Sequence, residues 1–293
     1  MWPLMDVWVG PASESDAMKL RRALAEMTAE DTTLSFHTDK ETGQTIMHGV
    51  GESHLDRDID ILRRIYEVNA AFGPKQVAYV ETLGRKAEIK YTHKRQRSGS
   101  GQCAEVRIVF EPLAQNEGVV FENKVVGDAV PREYVPAIEK GIRAQAEFGV
   151  LAGFPTVDFK CTLIDGKYHD VDSSTLAFEI ATKACFRELR KTGAPKVLEP
   201  IMKVEVLSPR DYLGGVTDDL KSRRGQIQDT EIRGKGLMIT AFVPLGEMFG
   251  YADTLRGLSL GHAQFTMQYE RHQEVPLSWP PDNLYPPAMA MRA

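Results

Sequence analysis

The sequence predicts an α+β protein of three domains, in which two ferredoxin-like units flank a middle α+β domain. Strand and helix patterns follow the order β-α-β-β-α-β at both ends of the chain, and this order is typical of the ferredoxin-like fold. Between these units, long helical patterns are mixed with strand patterns. A chain of 293 residues is also longer than a single hydrophobic core usually supports.

The first predicted unit spans residues 1–74. Leu20, Leu24 and Met27 recur at helical spacing, and two short apolar runs on either side of Gly43 predict a strand pair. A Gly-Pro dipeptide ends the unit. The predicted elements are a strand at 5–9, a helix at 15–27, strands at 34–38 and 44–48, a helix at 52–66 and a strand at 68–71.

The middle domain is predicted to span residues 75–197. It contains a basic run, Lys90–Arg97, which read alone is typical of a solvated strand with one charged face. The same cations would attract phosphates if RNA lay nearby. The other predicted elements are strands at 104–110, 119–126 and 156–164 and helices at 132–148 and 175–191.

The last predicted unit spans residues 198–274 and repeats the element order of the first without evident sequence identity. A proline-rich tail, residues 275–293, follows as predicted loop or disorder. The predicted elements of the unit are a strand at 202–207, a helix at 210–224, strands at 226–233 and 237–243, a helix at 247–255 and a strand at 263–270.

The bulk composition is that of a cytoplasmic globular protein. Hydrophobic residues make up 42% and charged residues 26%, and the longest apolar stretch, 237–245, is far shorter than a membrane span. The three cysteines form no CxxC pair, so we expect reduced thiols. A net charge of −5 disfavours general nucleic-acid binding but leaves room for a local basic patch.

Several motifs suggest enzymes or cofactor sites, but each lacks its required context. Gly257–Gly261 matches the hydrolase pattern GxSxG, yet a helix precedes it and a strand follows, which indicates a helix C-cap and turn. Gly49–His54 lacks the third glycine of a dinucleotide loop, so a turn and helix cap is predicted. No GxxxxGK[ST] motif occurs, and the seven histidines lack zinc-ligand spacing. We predict neither catalytic residues nor a metal site.

Two polar loops contain the remaining candidate functional residues. They are a glycine-rich turn at 98–102 and the stretch 168–174. His169, Asp170 and Ser173 resemble a catalytic triad in composition, but such close neighbours rarely converge on one centre. Asp172 and Ser173 are predicted to cap the helix that begins near residue 175. That role leaves Tyr168 and His169, which lie just outside the helix, unexplained.

Blocks spread over residues 5–273 resemble bacterial elongation factor G, in uninterrupted order. The resemblance implies domains III, IV and V of that family, without its GTPase domain and domain II, and a middle domain folded like ribosomal protein S5. The first strand then lies at a domain boundary, as expected of a fragment or a truncated copy. The blocks are Glu41–Ile46, Gly49–Leu55, Gln76–Tyr79, Arg132–Ala137, Leu151–Pro155, Tyr168–Ser174, Leu198–Val204, Ser222–Gly225 and Met248–Tyr251.

The resemblance implies an RNA-binding tip on domain IV that reaches the tRNA–mRNA duplex in the decoding centre of the ribosome. Glycines let backbone amides approach phosphates, and an imidazole can stack on a base or donate a hydrogen bond to ribose or phosphate. The implied tip residues are Ser98, Gly99, Ser100, Gly101, Gln102, His169, Asp170 and Asp172, with Lys94, Arg95 and Arg97 as basic support.

The same resemblance implies that the last domain faces large-subunit RNA through Arg223, Arg224, Phe249 and Tyr251. The expected function is that of the ribosome-contacting part of a monomeric translocase, whose GTP and Mg²⁺ would be bound by the GTPase domain in cis. Two alternatives stay open: a free-standing ribosome-binding or regulatory protein, and part of a ribosome-recycling paralogue. A small-molecule enzyme on the ferredoxin-like units is a third alternative, but it lacks a catalytic constellation.

A few positions depart from the family pattern. Ser53 stands where an apolar residue is expected, and Cys103 stands where an aromatic residue is usual. The proline-rich tail is also longer than expected. These departures suggest a divergent copy or paralogue and leave the tip residues intact.

Overall fold

The computed structural model describes residues 4–38, 45–97, 100–234 and 236–276. Within them the chain forms two compact units. The first unit holds residues 4–78 and 199–273, and the second holds 79–198 with 274–276. Among the described residues, none of the helices combines the length and apolar composition that crossing a membrane requires.

The N-terminal part of the first unit is ferredoxin-like, as predicted. Its sheet has the strand order β2-β3-β1-β4, and β5 (Gln76–Val77) adds to β1. Alternate residues of β1 are buried because one face of the sheet packs against two helices. The elements are β1 (Met5–Pro11), α1 (Glu14–Glu30), β2 (Ser35–Thr38), β3 (Thr45–Gly49), α2 (Glu52–Arg64) and β4 (Ala70–Phe72).

The second unit contains a four-stranded sheet whose order is β7-β8-β10-β9. β7 pairs antiparallel with β8, and β8 with β10, whereas β9 runs parallel to β10. The elements are β6 (Val80–Thr82), β7 (Ala87–Arg97), β8 (Ser100–Pro112), β9 (Val119–Asn123), α3 (Val135–Ala146), β10 (Phe159–Lys167), α4 (Thr175–Arg187) and α5 (Leu189–Thr192).

The core of the second unit lies between this sheet and helices α3 and α4. Phe186 meets Phe110 edge-on at a centroid distance of 5.7 Å and lies 5.4 Å from Phe159. Gly141 lets α3 approach α4 closely, because a Cβ there would lie 3.0 Å from the backbone oxygen of Glu179. The basic run 90–97 forms part of β7, so the solvated-strand interpretation describes its structure correctly.

The C-terminal elements repeat the ferredoxin-like order, with strands arranged β12-β13-β11-β14. This confirms the predicted α+β fold with two such units. The first residues of β11, Lys196–Leu198, belong to the second unit and pair with β6 there. The elements are β11 (Lys196–Pro209), α6 (Leu213–Ser222), β12 (Gln226–Arg233), β13 (Gly236–Pro244), α7 (Tyr251–Leu258) and β14 (Gln264–Glu274).

Several predicted helices are shorter than their sequence patterns. The helix predicted at 247–255 is split into a 3-10 turn, Leu245–Met248, and α7, because Phe249 is extended and Gly250 takes a left-handed φ of 66°. The helices predicted at 132–148 and 210–224 likewise each open with a separate 3-10 turn. The helix predicted at 175–191 divides into α4 and α5. The domain boundaries at residues 74, 197 and 274 stay a prediction.

The two glycine motifs are turns and caps, as predicted. Gly51 is the N-cap of α2, and the ring of His54 accepts a hydrogen bond from the Val50 amide at 3.3 Å. Ser259 is the C-cap of α7; it is fully buried and its hydroxyl donates to the Leu255 carbonyl at 2.7 Å. A buried hydroxyl that is already donating cannot serve as an exposed nucleophile.

A fully buried carboxylate, Glu81, organises the turn between α3 and β10. Its two oxygens accept hydrogen bonds from the five consecutive backbone amides of residues 150–154, at 2.7 to 3.2 Å. Its own backbone donates to the Pro155 carbonyl and accepts from the Val157 amide. Successive amides that point inwards form an anion-binding concavity, so the charge of Glu81 is compensated inside the protein.

We expect Glu81→Gln to lower the free energy of unfolding of the second unit by about 3 kcal/mol, since hydrogen bonds to a charged group contribute about 1.5–3 kcal/mol each and the new amide group would face backbone donors. Urea denaturation of the full chain measures this change. Glu147→Gln, at an exposed carboxylate beside the same turn, is the matched control and should change stability by less than about 0.5 kcal/mol. Equal effects of the two substitutions would contradict the assigned role.

The cysteines are free thiols in two different environments. Cys161 and Cys185 are buried in the core of the second unit, and burial raises the pKa of each thiol to about 12. Cys103, on β8, is half-buried. Only Cys103 is therefore placed to react with a reagent in solution.

We expect one thiol of the native chain to react with a disulfide reagent rapidly, and the other two about a hundredfold more slowly, because the thiolate is the reacting form. Time-resolved absorbance of the released thiolate measures this. Cys103→Ser should abolish the fast phase, and all three thiols should react alike in denaturant. A fast phase that persists in the variant would place a second thiol at the surface.

Candidate nucleic-acid interface

The glycine-rich turn joins β7 to β8 at the end of a long antiparallel hairpin. The hairpin register pairs Arg95 with Gln102 and Arg97 with Ser100. Gln102 also lies 3.3 Å from the ring of His93, measured from Oε1 to Nε2. Of the predicted turn residues, Ser98 and Gly99 lie outside the described part of the chain, as do the side chains of Arg97 and Ser100.

The structure brings the second loop, residues 168–174, alongside this hairpin. The Cys103 amide donates to the Asp172 carbonyl at 2.9 Å, and the Ser173 hydroxyl donates to the Cys103 carbonyl at 2.6 Å. The Ser173 hydroxyl in turn accepts from the His169 amide at 2.8 Å. Both backbone groups of Cys103 are thus bonded to the second loop, which extends along β8 beyond the end of β10.

His169 projects from the loop with most of its side chain, 58%, exposed. Its Nδ1 accepts from the Val171 amide at 3.4 Å and lies 3.6 Å from Oδ2 of Asp172. Among the described residues, none forms a hydrogen bond with Nε2. Asp170 is also exposed, whereas Asp172 is half-buried.

The predicted cap of α4 is wrong by one residue. Ser174 is the N-cap, and its hydroxyl accepts from the Ala177 amide at 3.1 Å. The Ser173 hydroxyl is already bonded to Cys103 and His169, and Asp172 presents its carboxylate to Gly101 instead of to the helix. The same bonds exclude a triad, because the Ser173 hydroxyl donates its proton to a backbone carbonyl and not to His169.

In the stem of the hairpin, which we define as residues 86–92 and 105–111, charged side chains form ion pairs with one another. Ion pairs join charged residues across β7 and β8. The register places Lys90 opposite Arg107, and each of these cations pairs diagonally with a carboxylate of the other strand. Burial raises the pKa of Glu105, hydrogen bonds from Thr92 and Lys90 lower it, and the net shift is downward. The pairs are Lys86–Glu111, Arg107–Glu88 and Lys90–Glu105.

The cations nearer the turn lack such partners. Lys94 and Arg95 are exposed, and no carboxylate within the described ranges forms an ion pair with either one. The residue opposite Lys94 is Cys103, and the residue opposite Arg95 is Gln102, so the register supplies no negative charge. Among the described residues, Lys94 and Arg95 therefore have no ion-pair partner, whereas the cations farther from the turn are paired.

Two exposed residues at the tip were not predicted as site residues. Tyr168 is 41% exposed and Val171 is 84% exposed, and they flank His169 and Asp170 in the loop. The sequence feature that could have identified them is the presence of a tyrosine and a valine in an otherwise polar loop. Exposed aromatic and apolar groups can stack on an unpaired base.

In the C-terminal domain, Arg223 is held by internal contacts. It bonds to Oδ2 of Asp219 at 2.9 Å and to the Glu247 carbonyl at 2.5 Å. Its guanidinium also donates to the Thr254 hydroxyl at 3.1 Å and lies over the Tyr251 ring. The side chain is only 17% exposed, so its charge is largely satisfied within the protein.

The other residues predicted for this face are also partly or fully enclosed. Arg224 forms a bidentate salt bridge with Glu199, with Nη2–Oε1 and Nη1–Oε2 distances of 2.5 and 3.1 Å. Tyr251 is 1% exposed, and burial raises the pKa of its hydroxyl. Phe249 is half-buried. The geometry gives Tyr251 a place in the core, and contact between this face and RNA stays a prediction.

Three family models match the chain in consecutive segments. They are elongation factor G domain III at residues 2–74, elongation factor G domain IV at 75–194 and the elongation factor G C-terminus at 196–282. The chain belongs to the elongation factor G family. It carries domains III, IV and V, and the tip described above lies in domain IV. The matched segments do not include the GTPase domain of the family.

Relatives and a solved structure agree with this assignment. The chain is 57% identical to elongation factor G of Granulibacter bethesdensis and 56% identical to that of Gluconobacter oxydans, each over 94% of this chain. It spans about 40% of the length of these relatives. A crystal structure of a protein from Thermus thermophilus is 36% identical, with a TM-score of 0.66, and the match covers 99% of this chain and 42% of that one.

A metal site finds no support in the described ranges, where no group of three or more His, Cys, Asp or Glu side chains is arranged to hold an ion. The tip is accordingly a surface of exposed side chains supported by backbone hydrogen bonds. It offers an imidazole, two cations and a carboxylate to a ligand.

Proposed function

We propose that this chain is the ribosome-contacting part of an elongation factor G, which promotes GTP-dependent translocation of tRNA and mRNA. In this proposal the domain IV tip enters the decoding centre of the small subunit. One observation carries it: an exposed imidazole and two cations, for which the described residues provide no ion-pair partner, lie at the end of a hairpin that forms three ion pairs farther from its turn. Exposed cations that have no carboxylate partner among the described residues suit phosphate contacts at the tip.

Other domains and surfaces supply the remaining functions of the translocase. GTP and Mg²⁺ are bound and GTP is hydrolysed by the family's GTPase domain in cis, and the residues described here perform no bond-making chemistry. The C-terminal domain faces large-subunit RNA. The protein acts as a cytoplasmic monomer.

The tip chemistry supports recognition of RNA by contact with ribose and phosphate. With Nδ1 of His169 accepting from the Val171 amide, the ring can carry its proton on Nε2 and donate to a ribose or phosphate oxygen. Lys94 and Arg95 supply attraction that does not depend on sequence. This combination fits a factor that must act on every codon.

We expect replacement of both Lys94 and Arg95 by Ala to weaken binding of the chain to 30S subunits and to flatten its salt dependence. Each lost phosphate contact lowers the slope of log K against log[salt] by roughly 0.7–0.9, so the double variant should lose about 1.5. Cosedimentation over a series of KCl concentrations measures the slope.

The matched control replaces Lys90 and Arg107 by Ala, which removes the same charge from the stem. Because these residues already pair with Glu105 and Glu88, the slope should change little. Equal slopes in the two double variants would show that net charge, and not the tip, governs binding. Absence of any binding at low salt would contradict the proposed function of the isolated domains.

In a protein that includes its GTPase domain, His169→Ala should slow translocation about tenfold, the effect of losing about 1.4 kcal/mol of stabilisation. Ribosome-stimulated GTP hydrolysis should stay nearly unchanged. Rapid kinetics of a fluorescent mRNA and of phosphate release measure the two activities. His262→Ala, at an exposed histidine of the C-terminal domain, is the control. Equal loss of both activities in His169→Ala would give this histidine a structural role.

A further inference from the structure

The two tip loops are joined by a small set of contacts that we call the tip seam: Gly101 and Cys103 on β8, and His169, Asp172 and Ser173 on the second loop. Its bonds join the Cys103 amide to the Asp172 carbonyl and the Cys103 carbonyl to the Ser173 hydroxyl. The seam thus continues the pairing of β8 past the end of β10, at a place where the second loop has no regular strand of its own.

The Ser173 hydroxyl is the centre of the seam. It accepts a hydrogen bond from the His169 amide at 2.8 Å and donates one to the Cys103 carbonyl at 2.6 Å. Its single proton is therefore used in the bond to β8. The Ser173 amide also donates to the His169 carbonyl at 3.0 Å. Both backbone groups of His169 are therefore held by one serine, while the imidazole is left exposed.

Because residue 101 is glycine, the Asp172 carboxylate has space beside β8. A Cβ there would lie 2.5 Å from the carboxylate of Asp172. Gly101 lies in β8 and its φ is not positive, so alanine would be compatible with the backbone, and the nearest atoms that its Cβ would meet are those of that carboxylate. Gly101→Ala therefore displaces Asp172 without removing any hydrogen-bonding group.

We infer that Ser173 is a positioning residue, which sets the place of His169 relative to β8 and holds the second loop rigidly against that strand. This inference rests on the proposed function for its effect on RNA binding, but its structural part does not. Without the hydroxyl, the His169 amide loses its acceptor and the Cys103 carbonyl loses its donor. The imidazole then samples many positions, and ordering it on RNA costs conformational entropy.

The first test measures the seam without RNA. Amide hydrogen exchange of the full chain, resolved by NMR, is compared for the wild type, Ser173→Ala, Ser173→Thr and Gly101→Ala, with circular dichroism to verify folding. In Ser173→Ala the His169 amide should exchange at least about tenfold faster, as expected when the Ser173 hydroxyl that accepts its hydrogen bond is lost. Ser173→Thr, which keeps the hydroxyl, should restore protection. Unchanged exchange of His169 in Ser173→Ala would overturn the inference.

The second test is a double-mutant cycle on binding to purified 30S subunits. Ser173→Ala should weaken binding about fivefold in the wild-type background and should have no further effect in His169→Ala, because it acts through that residue. Gly101→Ala, which loosens the seam without removing the hydroxyl, should weaken binding in the same direction. Equal weakening by Ser173→Ala in both backgrounds would overturn the positioning role.

The two tests separate this inference from the proposed function. If the His169 amide loses protection in Ser173→Ala while His169→Ala binds 30S subunits normally, the seam is supported and the proposed role of His169 on RNA fails. If His169→Ala weakens binding but Ser173→Ala changes neither binding nor exchange, the proposed function stands and the positioning role is overturned.

Discussion

The geometry of the second unit depends on one buried charge. The Glu81 carboxylate accepts hydrogen bonds from five backbone amides in the tight turn that follows α3. Gly149 allows this turn through a positive φ of 62°, and a Cβ there would lie 2.1 Å from the Phe154 carbonyl. The turn leads directly into β10, which carries the second tip loop. Glu81 therefore holds the turn from which β10, the strand before the second tip loop, begins.

Much of the fold could be predicted because its elements carry periodic apolar patterns. The strand at 226–233 was predicted with its observed bounds, and both ferredoxin-like orders were predicted correctly. The two-residue β5 and three-residue β6 were missed, since so short a segment has no measurable period. The break at Gly250 was missed because the apolar spacing continues across it, while only the backbone conformation shows the left-handed residue.

The candidate site was predictable in position but not in its internal bonds. The two loops were identified from their composition, whereas the partners of Ser173 depend on a tertiary contact with Cys103, about seventy residues away in sequence. The internal hydrogen-bond partners of two arginines were likewise not predictable from the sequence. Arg223 and Arg224 were predicted to face RNA, yet each found partners inside the domain, with Glu199 bonded to Arg224. A charged residue type indicates that a partner exists but does not identify it.

A net charge of −5 is compatible with the proposed RNA-binding tip, because phosphate attraction depends on the charge near the contact and not on the total charge of the chain. At an ionic strength of 0.15 M, charges farther apart than about 8 Å are largely screened, so a phosphate at the tip experiences mainly Lys94, Arg95 and the residues beside them. The ion pairs of the stem contribute almost no field there. The proposed attraction to RNA therefore comes mainly from the tip, and the hydrogen bonds of the tip seam leave the imidazole exposed at that same place.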